Sequence, residues 1–362
     1  MSNSKIGYID ALKGIAAIAI VIAHSGANLI SGSIGRISSL GPTAVGVFLM
    51  ISGMLTMSSL HTHFDGSGMT FKSLIKWYFS KFLRLAPLFY IAVFTGILTH
   101  TWSEYWLGEE GVITIPNVIS HLLLLHGLFP YYANSILGLE WYVGVLFIFI
   151  LISPIIYRFV NTLRKSVVLL VVLLLIKPFV TPYLYNIYEF WRDYVVYRGY
   201  IDSVGPYANI TIFMMGVVIY HIFNLIKDKK PDEKRGRLLS YGLLVLSLLL
   251  IIIQYRFPFI SLVMSMNESY ALIYSLIIIS QFIWSTKLID NAFFRLLGKY
   301  SYGIYLFQII VFSLYDRFIN YTGRASWSVK FVSCFVVIFI VSFVLTNLID
   351  FVSGKKRIVT PS

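Results

Sequence analysis

The stretch "YIDALKGIAAIAIVIAH", residues 8–24, indicates what kind of protein the sequence encodes. Most of its residues are Ile, Ala, Leu or Val, and its length approaches the roughly 20 residues that an α-helix needs to cross a bilayer. The apolar pattern is broken above all by Lys13 near its beginning and His24 at its end. Because ionisable side chains are rare inside membrane helices, these two residues are the first candidates for a functional role.

The rest of the sequence has the same apolar character. Hydrophobic residues make up 58% of the 362 residues and charged residues only 12%, whereas a soluble domain carries about 25% charged residues. The apolar runs do not alternate with polar residues, as transmembrane β-strands do. The sequence therefore predicts an all-α integral membrane protein with several transmembrane helices.

The net charge of +13 does not indicate binding to nucleic acid. Lys and Arg cluster in short segments between apolar runs, where they orient a membrane protein. The single cysteine, Cys334, lies in an apolar run, so no intramolecular disulfide can form. No metal site is expected, because His61 and His63 in a predicted loop have too few neighbouring ligands.

Eleven apolar segments follow one another along the chain. They lie near residues 7–25, 40–60, 82–101, 117–130, 139–158, 166–182, 205–226, 238–255, 269–286, 300–318 and 328–350. Basic residues concentrate in the predicted loops 61–84 and 227–237 and in the C-terminal tail, and such residues favour the cytoplasmic side. Eleven spanning helices would place those two loops on opposite sides of the membrane. One of the segments between them must therefore not span.

The segment 117–130 best fits this exception. It is short and contains His121 and His126, and apolar stretches of about 10–14 residues are often re-entrant or interfacial. We therefore expect about ten transmembrane helices, with both termini in the cytoplasm. Residues 1–352 would form a single transmembrane domain, and residues 353–362 would form a short basic cytoplasmic tail.

Lys13 and His24 are expected to lie on one stripe of the first helix. Their spacing of eleven residues, at 100° per residue, brings them within about 20° of the same face and roughly 16 Å apart. Each residue alone has a structural explanation. Lys13 can extend to the membrane surface beside Asp10, and His24 can be a polar residue at the interface. Together they fit a ligand with an anionic head and a reactive end, such as an acyl-coenzyme A.

Five stretches resemble, in the same order, those of the membrane acyltransferase 3 family. They are "IDALKGIAAIAIVIAH" (9–24), "GVFLMISGML" (46–55), "KFLRLAPLFY" (81–90), "EWYVGVLFIFILISPII" (140–156) and "LGKYSYGIYLFQ" (297–308). In the first stretch, Lys13 and His24 occupy the positions of the family's Arg and His. In the third, Arg84 and Pro87 match its Arg-x-x-Arg-x-x-Pro pattern. No stretch is specific alone, but five in order cover nearly the whole chain.

The sequence departs from the family pattern at four positions. Lys13 and Lys81 stand where the family has Arg, and Lys keeps the charge but lacks the planar fork that binds phosphate in a bidentate way. Many members carry Glu at the position of Leu146, and the last motif often ends in His where this chain has Gln308. The pattern leaves the roles of Leu146 and Gln308 open.

The resemblance implies an enzyme that transfers an acyl group, most often acetyl, from cytoplasmic acyl-coenzyme A to a hydroxyl of an extracytoplasmic glycan. The acceptor would be O-antigen, capsule, exopolysaccharide, peptidoglycan or a small lipid-linked sugar. The enzyme would work in the cell membrane, in contact with lipid. Acetyl-coenzyme A would be a substrate and not a permanently bound cofactor.

The same resemblance assigns roles to individual residues. His24 would be catalytic, as a general base or as a transient carrier of the acyl group. Lys13, Lys81 and Arg84 would bind the donor's phosphates, although cations at such positions also anchor helices at the cytoplasmic surface. The residues expected at the acceptor or in the bundle interior are Trp141, Ser301, Tyr302 and Tyr305.

Two other classes of membrane protein explain part of the pattern: a glycan transporter or flippase, and a glycan polymerase. A transporter predicts two halves with interrupted helices in matching positions, and the sequence shows no such symmetry. A polymerase usually has a larger outer loop than the one predicted at 183–204. Neither class explains the stripe from Lys13 to His24, so the acyltransferase is favoured.

Overall fold

The computed structural model describes residues 7–27, 35, 38–64, 68–101, 106, 111–189, 194–227, 231–262, 264–320 and 326–354. Within these residues the chain forms helices joined by turns and contains no β-strand. The α-helices, numbered in chain order, are α1 (Gly7–His24), α2 (Val45–Phe64), α3 (Phe71–Leu98), α4 (Ile115–Leu122), α5 (Trp141–Phe159), α6 (Leu163–Glu189), α7 (Tyr194–Gly199), α8 (Pro206–Ile226), α9 (Glu233–Arg256), α10 (Met266–Ile283), α11 (Ala292–Lys299), α12 (Ser301–Phe318) and α13 (Trp327–Val352). Of the expected basic tail, residues 355–362 lie outside the described residues.

Within the described ranges, eight helical segments are long and apolar enough to cross a membrane. They contain α1, α2, α3, α5, α6, α8, α9 and α13. The structure therefore confirms an all-α protein with several helices suited to a membrane. The expectation of about ten spans also counts α10 and α12, which have 18 residues each. That number and the cytoplasmic position of both termini remain predictions.

The prediction of a loop at residues 61–84 is wrong, because helices occupy most of this range. α2 continues to Phe64, and α3 begins at Phe71, well before the predicted start. Thr70 caps α3 by accepting a hydrogen bond from the backbone N–H of Ser73. The basic residues did not mark the end of a helix here, because Lys side chains can extend along a helix to reach the membrane surface.

The prediction of an outer loop at residues 183–204 is also wrong, because helices occupy most of the described residues of this range. α6 runs to Glu189 through Pro178 and Pro182, whereas a proline usually ends a helix at the preceding residue. Residues 194–204 then form a short helix and a single π-turn. Prolines in the apolar part of α6 are therefore internal to the helix.

The segment 117–130 forms no long helix, as expected. It contains most of the eight-residue α4 and a 3₁₀ turn at His126–Leu128. Between them Leu124 has a φ of +57°, a left-handed conformation that interrupts a right-handed helix. The segment is not among the candidate membrane spans.

The short helix α11, like α7, was not predicted. It packs across the first half of α1, and glycines make the contact. A Cβ on Gly298 would lie 1.6 Å from the carbonyl oxygen of Asp10, and a Cβ on Gly14 would lie 2.2 Å from that of Phe294. The two backbones therefore touch, and only glycine permits this approach. Because α11 leads through Tyr300 into α12, its place on α1 also positions α12.

α2 and α8 pack equally closely inside the bundle. A Cβ on Gly216 would lie 2.1 Å from the carbonyl oxygen of Met50, and a Cβ on Gly53 would lie 2.5 Å from that of Phe213. Small residues allow membrane helices to approach each other in this way. In contrast, α6, α9 and α13 leave many apolar side chains exposed, as lipid-facing helices do.

We predict that Gly216→Ala lowers the midpoint of thermal unfolding of the protein in detergent. The added methyl group would overlap the Met50 carbonyl and force α2 and α8 apart, and overpacking of this kind costs about 1–3 kcal/mol. The matched control is Gly242→Ala on α9, where a Cβ would meet nothing within 4 Å. An open helical position should tolerate Ala or gain slightly from it. Equal midpoints for the two variants would contradict the close contact.

Candidate active site

A cavity of about 630 Å³ lies at the end of the bundle where α1 begins and α13 ends. Its lining residues come from α1, α2, α3, α5, α11, α12 and α13 and the residues that adjoin them. The ionisable Lys, Arg and Asp residues that line it are Lys13, Lys81, Arg84, Lys299 and Asp350. We call this end of the bundle the basic end. The cavity brings together the three cations predicted to bind a donor, and it adds Lys299.

Two of these cations already have close partners. The Nζ of Lys13 lies 2.6 Å from Oδ1 of Asp10, which matches the structural explanation considered for this residue. The Nζ of Lys81 donates a hydrogen bond to Ser59 Oγ at 2.7 Å and lies 5.1 Å from the ring centroid of Trp77. Both charges are therefore partly satisfied within the protein.

The other two cations are more available to a ligand. Arg84 is exposed, and its guanidinium forms no ion pair with a carboxylate of the described residues. Lys299 is also exposed, and its Nζ lies 5.3 Å from the ring centroid of Tyr300. The sequence had marked Arg84 through its motif but not Lys299, although Lys299 lies in the motif "LGKYSYG". Its proximity to Lys13 depends on the packing of α11 that the sequence did not reveal.

Three aromatic rings lie at the opposite end of the cavity. The ring centroid of Tyr142 is 5.4 Å from that of Tyr305 and 6.0 Å from that of Phe48. The hydroxyls of Ser52 and Tyr142 are 3.2 Å apart, and the Tyr305 hydroxyl donates to the carbonyl of Leu139. We call this part of the cavity the aromatic end. Its ring hydroxyls have partners within the protein, so they need no bound water.

The predicted interior residues of α12 line the cavity wall, but Trp141 does not. Ser301 and Tyr302 lie nearer the basic end than Tyr305, and the Tyr302 hydroxyl donates to the carbonyl of Leu85 at 3.0 Å. Trp141 packs edge-on against Tyr142, with centroids 6.3 Å apart. The structure therefore separates Trp141 from the other three residues assigned to a substrate.

His24 lies beyond the aromatic end, as the last residue of α1. It does not line the cavity, and its side chain is partly exposed. Its Nδ1 is 3.3 Å from Oε1 of Gln308, and Nε2 of Gln308 donates to the carbonyl of Tyr305 at 3.0 Å. The step along α12 from Tyr305 to Gln308 rises only about 4.5 Å. One amide therefore connects the aromatic end to the predicted catalytic histidine.

The comparison with protein families identifies the family of the chain. The model of the acyltransferase 3 family, described as an acyltransferase domain, matches residues 6–347, which is nearly the whole chain. The chain belongs to the acyltransferase 3 family. It is therefore a membrane acyltransferase, and the resemblance carried by the five stretches is confirmed. No curated protein and no solved structure matches the chain.

The acyltransferase contains a buried carboxylate that the sequence analysis did not single out. Glu140 is fully buried directly before α5. Its carboxylate accepts hydrogen bonds from the backbone N–H groups of Ile136 at 2.5 Å and of Leu137 and Leu139 at 3.0 Å. It thereby shapes the turn whose Leu139 carbonyl holds Tyr305. The available signal was an acidic residue at the N-terminal end of an apolar run.

Two buried histidines of the acyltransferase pack beside Glu140. The rings of His121 and His126 stack with centroids 4.2 Å apart, and Phe89 stacks on both. Nδ1 of His121 donates to the Asn117 carbonyl at 2.9 Å, and Nε2 of His126 donates to the Glu140 carbonyl at 3.0 Å. Burial, together with the nearby His121, lowers the pKa of His126 well below its ordinary value. His126 is therefore neutral at neutral pH and acts as a structural donor.

We predict that Glu140→Gln destabilises the acyltransferase. The amide group would turn an N–H₂ toward a backbone N–H in either orientation, which leaves a buried donor unsatisfied at a cost of about 1–3 kcal/mol. The midpoint of thermal unfolding in detergent should fall accordingly. Glu233→Gln is the matched control, because Glu233 is exposed and pairs with Arg237 at the surface. A midpoint unchanged by Glu140→Gln would show that the carboxylate does not hold the turn.

Proposed function

We propose that this acyltransferase transfers an acetyl group from cytoplasmic acetyl-coenzyme A to a hydroxyl of an extracytoplasmic glycan. The proposal is carried by one observation. The cavity has its cations at the basic end, and its aromatic end stops about one helical turn from the link between Gln308 and His24. An acetyl-coenzyme A presents matching groups in the same order: phosphates, a flexible arm and a thioester at the tip.

The orientation in the membrane is part of the proposal. The basic end faces the cytoplasm, because Lys and Arg favour that side and Lys72 and Lys76 lie near the start of α3, the helix that also carries Lys81 and Arg84. Both termini then lie in the cytoplasm, α10 and α12 span the bilayer, and the protein lies in the cell membrane. His24 is directed toward the outer side, from which a lipid-linked or surface glycan would approach.

The donor's phosphates would bind mainly to Arg84 and Lys299. Arg84 can hold a phosphate in a bidentate way, whereas Lys13, Lys81 and Lys299 act as point charges. Between these cations and the aromatic end, the lining is largely apolar and includes Leu146. An apolar wall suits the flexible arm of coenzyme A, and at this position many relatives would have a Glu.

In the proposed reaction, His24 acts as a general base toward the acceptor hydroxyl, because imidazole titrates near neutral pH. The hydroxyl proton moves to the imidazole while the oxygen attacks the thioester carbonyl. The C–S bond breaks, and the imidazolium returns the proton to the departing thiolate. The products are the acetylated glycan and free coenzyme A. In the alternative route the imidazole attacks the thioester carbonyl, and the C–S bond breaks to release the coenzyme A thiolate. The hydroxyl oxygen then takes the acyl group from the imidazole, and its proton passes to the thiolate.

The test compares the surface glycan of cells that carry the intact acyltransferase with that of cells that carry His24→Ala. We predict that the mutant glycan lacks the mass of one acetyl group per modified sugar, because no base or acyl carrier remains. Mass spectrometry of the purified glycan measures this at matched membrane abundance of the two proteins. The control is His63→Ala, since His63 is exposed at the end of α2 and should leave acetylation intact.

Three outcomes separate the proposal from its rivals. If the glycan from the His24→Ala cells lacks the mass of an acetyl group, acetyl transfer is supported and the acceptor is identified. If it lacks a different mass, the transferred group is another acyl group. An unchanged glycan at equal protein levels would remove His24 from the chemistry. In that case export of the glycan by a transporter or flippase becomes the activity to test.

We further predict that Arg84→Gln and Lys299→Gln each raise the KM for acetyl-coenzyme A by about tenfold or more. Each removes one charge-assisted hydrogen bond to a phosphate, an interaction of roughly 1.5–3 kcal/mol. Assays on membranes with radiolabelled donor measure the change, which should shrink at high salt. Lys76→Gln is the control, because Lys76 is exposed on α3 and does not line the cavity. Equal KM values for all three variants would place the donor elsewhere.

A further inference from the structure

Gln308 connects the cavity to His24, and the family pattern assigns it no role. Its side chain is fully buried in α12. A buried amide needs partners for both its oxygen and its nitrogen, because an unsatisfied polar group is costly in an apolar interior. The partners of Gln308 are the imidazole of His24 and the carbonyl of Tyr305.

The Tyr305 carbonyl decides which way the amide points. A carbonyl oxygen only accepts hydrogen bonds, so it must face the amide nitrogen, 3.0 Å away. The opposite orientation would place two acceptor oxygens against each other. Oε1 of Gln308 therefore faces His24, and its distance to Nδ1 is 3.3 Å.

The amide orientation in turn favours one position for the proton of the imidazole, whose other hydrogen-bond acceptor is the backbone of Ile20, one turn earlier on α1. Oε1 can only accept, so the hydrogen bond requires a proton on Nδ1 of His24. A neutral imidazole with a proton on Nδ1 has its free electron pair on Nε2. Nε2 is then the nitrogen that can take a proton or an acyl group.

We propose that Gln308 is the positioning residue that holds His24 in the Nδ1-protonated form and so selects Nε2 as the reacting atom. This inference rests on the proposed function for its link to catalysis, but the state of the imidazole can be measured without any substrate. A carboxylate performs the same service for the histidine of a serine-protease triad. Here a neutral amide does so, which places no charge in the membrane interior.

The role fits both routes of the proposed reaction. When Nε2 takes the hydroxyl proton, the bond from Nδ1 to Gln308 persists, so the ring keeps its orientation. When Nε2 instead attacks the acyl carbon, the C–S bond breaks and the thiolate of coenzyme A leaves, and the same hydrogen bond holds the acyl-imidazolium that forms. In each route the proton stays on Nδ1, and Gln308 contacts neither the acyl donor nor the acceptor.

The primary experiment records ¹⁵N NMR spectra of the full chain in lipid nanodiscs, with ¹⁵N-labelled histidine and no ligand, at a pH where the ring is neutral. The signals of His24 are assigned by their absence in His24→Ala. We expect Nδ1 to carry the proton in the unmodified protein. A proton on Nε2 would overturn the proposal directly, and this result does not depend on a variant that folds.

Two substitutions of Gln308 then test whether the side chain causes that state. Gln308→Leu keeps the approximate shape but removes the acceptor, so the His24 signals should shift toward a mixture of the two neutral forms. Gln308→Glu should preserve the Nδ1 proton, because either form of the carboxyl group offers an oxygen to Nδ1. Unchanged His24 signals in Gln308→Leu would overturn the proposal.

The matched control is Gln281→Leu, which removes another buried glutamine whose partners are Ser280 and Thr286. It should leave the His24 signals unchanged, although it lowers stability. A change of the His24 signals equal to that in Gln308→Leu would assign the effect to general loosening of the bundle and overturn the specific role.

Activity provides the second readout. Gln308→Leu should lower kcat by about tenfold or more, in line with the loss of one hydrogen bond in the transition state, while the KM for acetyl-coenzyme A stays unchanged. Gln308→Glu should recover most of kcat.

The two proposals can fail separately. If the NMR result holds but cells with His24→Ala still acetylate the glycan, the proposed function fails and the assignment of the imidazole stands. If His24 is essential for acetylation but its ¹⁵N signals are the same in Gln308→Leu as in the unmodified protein, only this inference fails.

Discussion

The backbone contact between Asp10 and Gly298 is the constraint on which the candidate active site depends. α11 touches α1 there without an intervening side chain, and it leads within a few residues into α12. The position of Gly298 on α1 therefore decides which residue of α12 faces which residue of α1. That register brings Lys299 into the lining of the cavity that Lys13 also lines, and it brings Gln308 to His24. Any side chain at position 298 would displace both pairs at once.

Polar groups inside the bundle follow a second constraint, since a membrane interior offers no water to satisfy them. Glu140 uses three backbone N–H groups, and the turn that it shapes presents a carbonyl to Tyr305. Tyr305 in turn presents its own carbonyl to Gln308, and Gln308 presents its oxygen to His24. The buried carboxylate and the imidazole are thus joined by hydrogen bonds that all point in a defined direction. Such a series of hydrogen bonds makes a protein core more rigid when every polar group in it has a partner.

Much of the fold could be predicted because a membrane restricts a sequence to long apolar helices, and those are visible as composition. The stripe from Lys13 to His24 was equally accessible, since both residues belong to one helix of known period. The errors at 61–84 and 183–204 arose where charges and prolines, which end helices in soluble proteins, lie within them. The contact between His24 and Gln308 could not be predicted. It joins residues 284 positions apart. It also depends on the close packing of Gly298 on α1, which leaves no periodic pattern in the sequence.

The proposed reaction must join a cytoplasmic thioester to an extracytoplasmic hydroxyl without opening a path for water. The aromatic end meets this requirement, because its rings contact one another and their hydroxyls are bonded to neighbouring segments. The donor's phosphates can then stay at the basic end while only the acyl carbonyl advances about one helical turn, roughly 5 Å. The distribution of charge follows from this division. Cations lie where water reaches the mouth of the cavity, whereas the side chains that line the aromatic end and hold His24 are hydroxyls, aromatic rings and an amide. A charge at that depth needs full compensation, and the buried carboxylate of Glu140 obtains it from three backbone N–H groups.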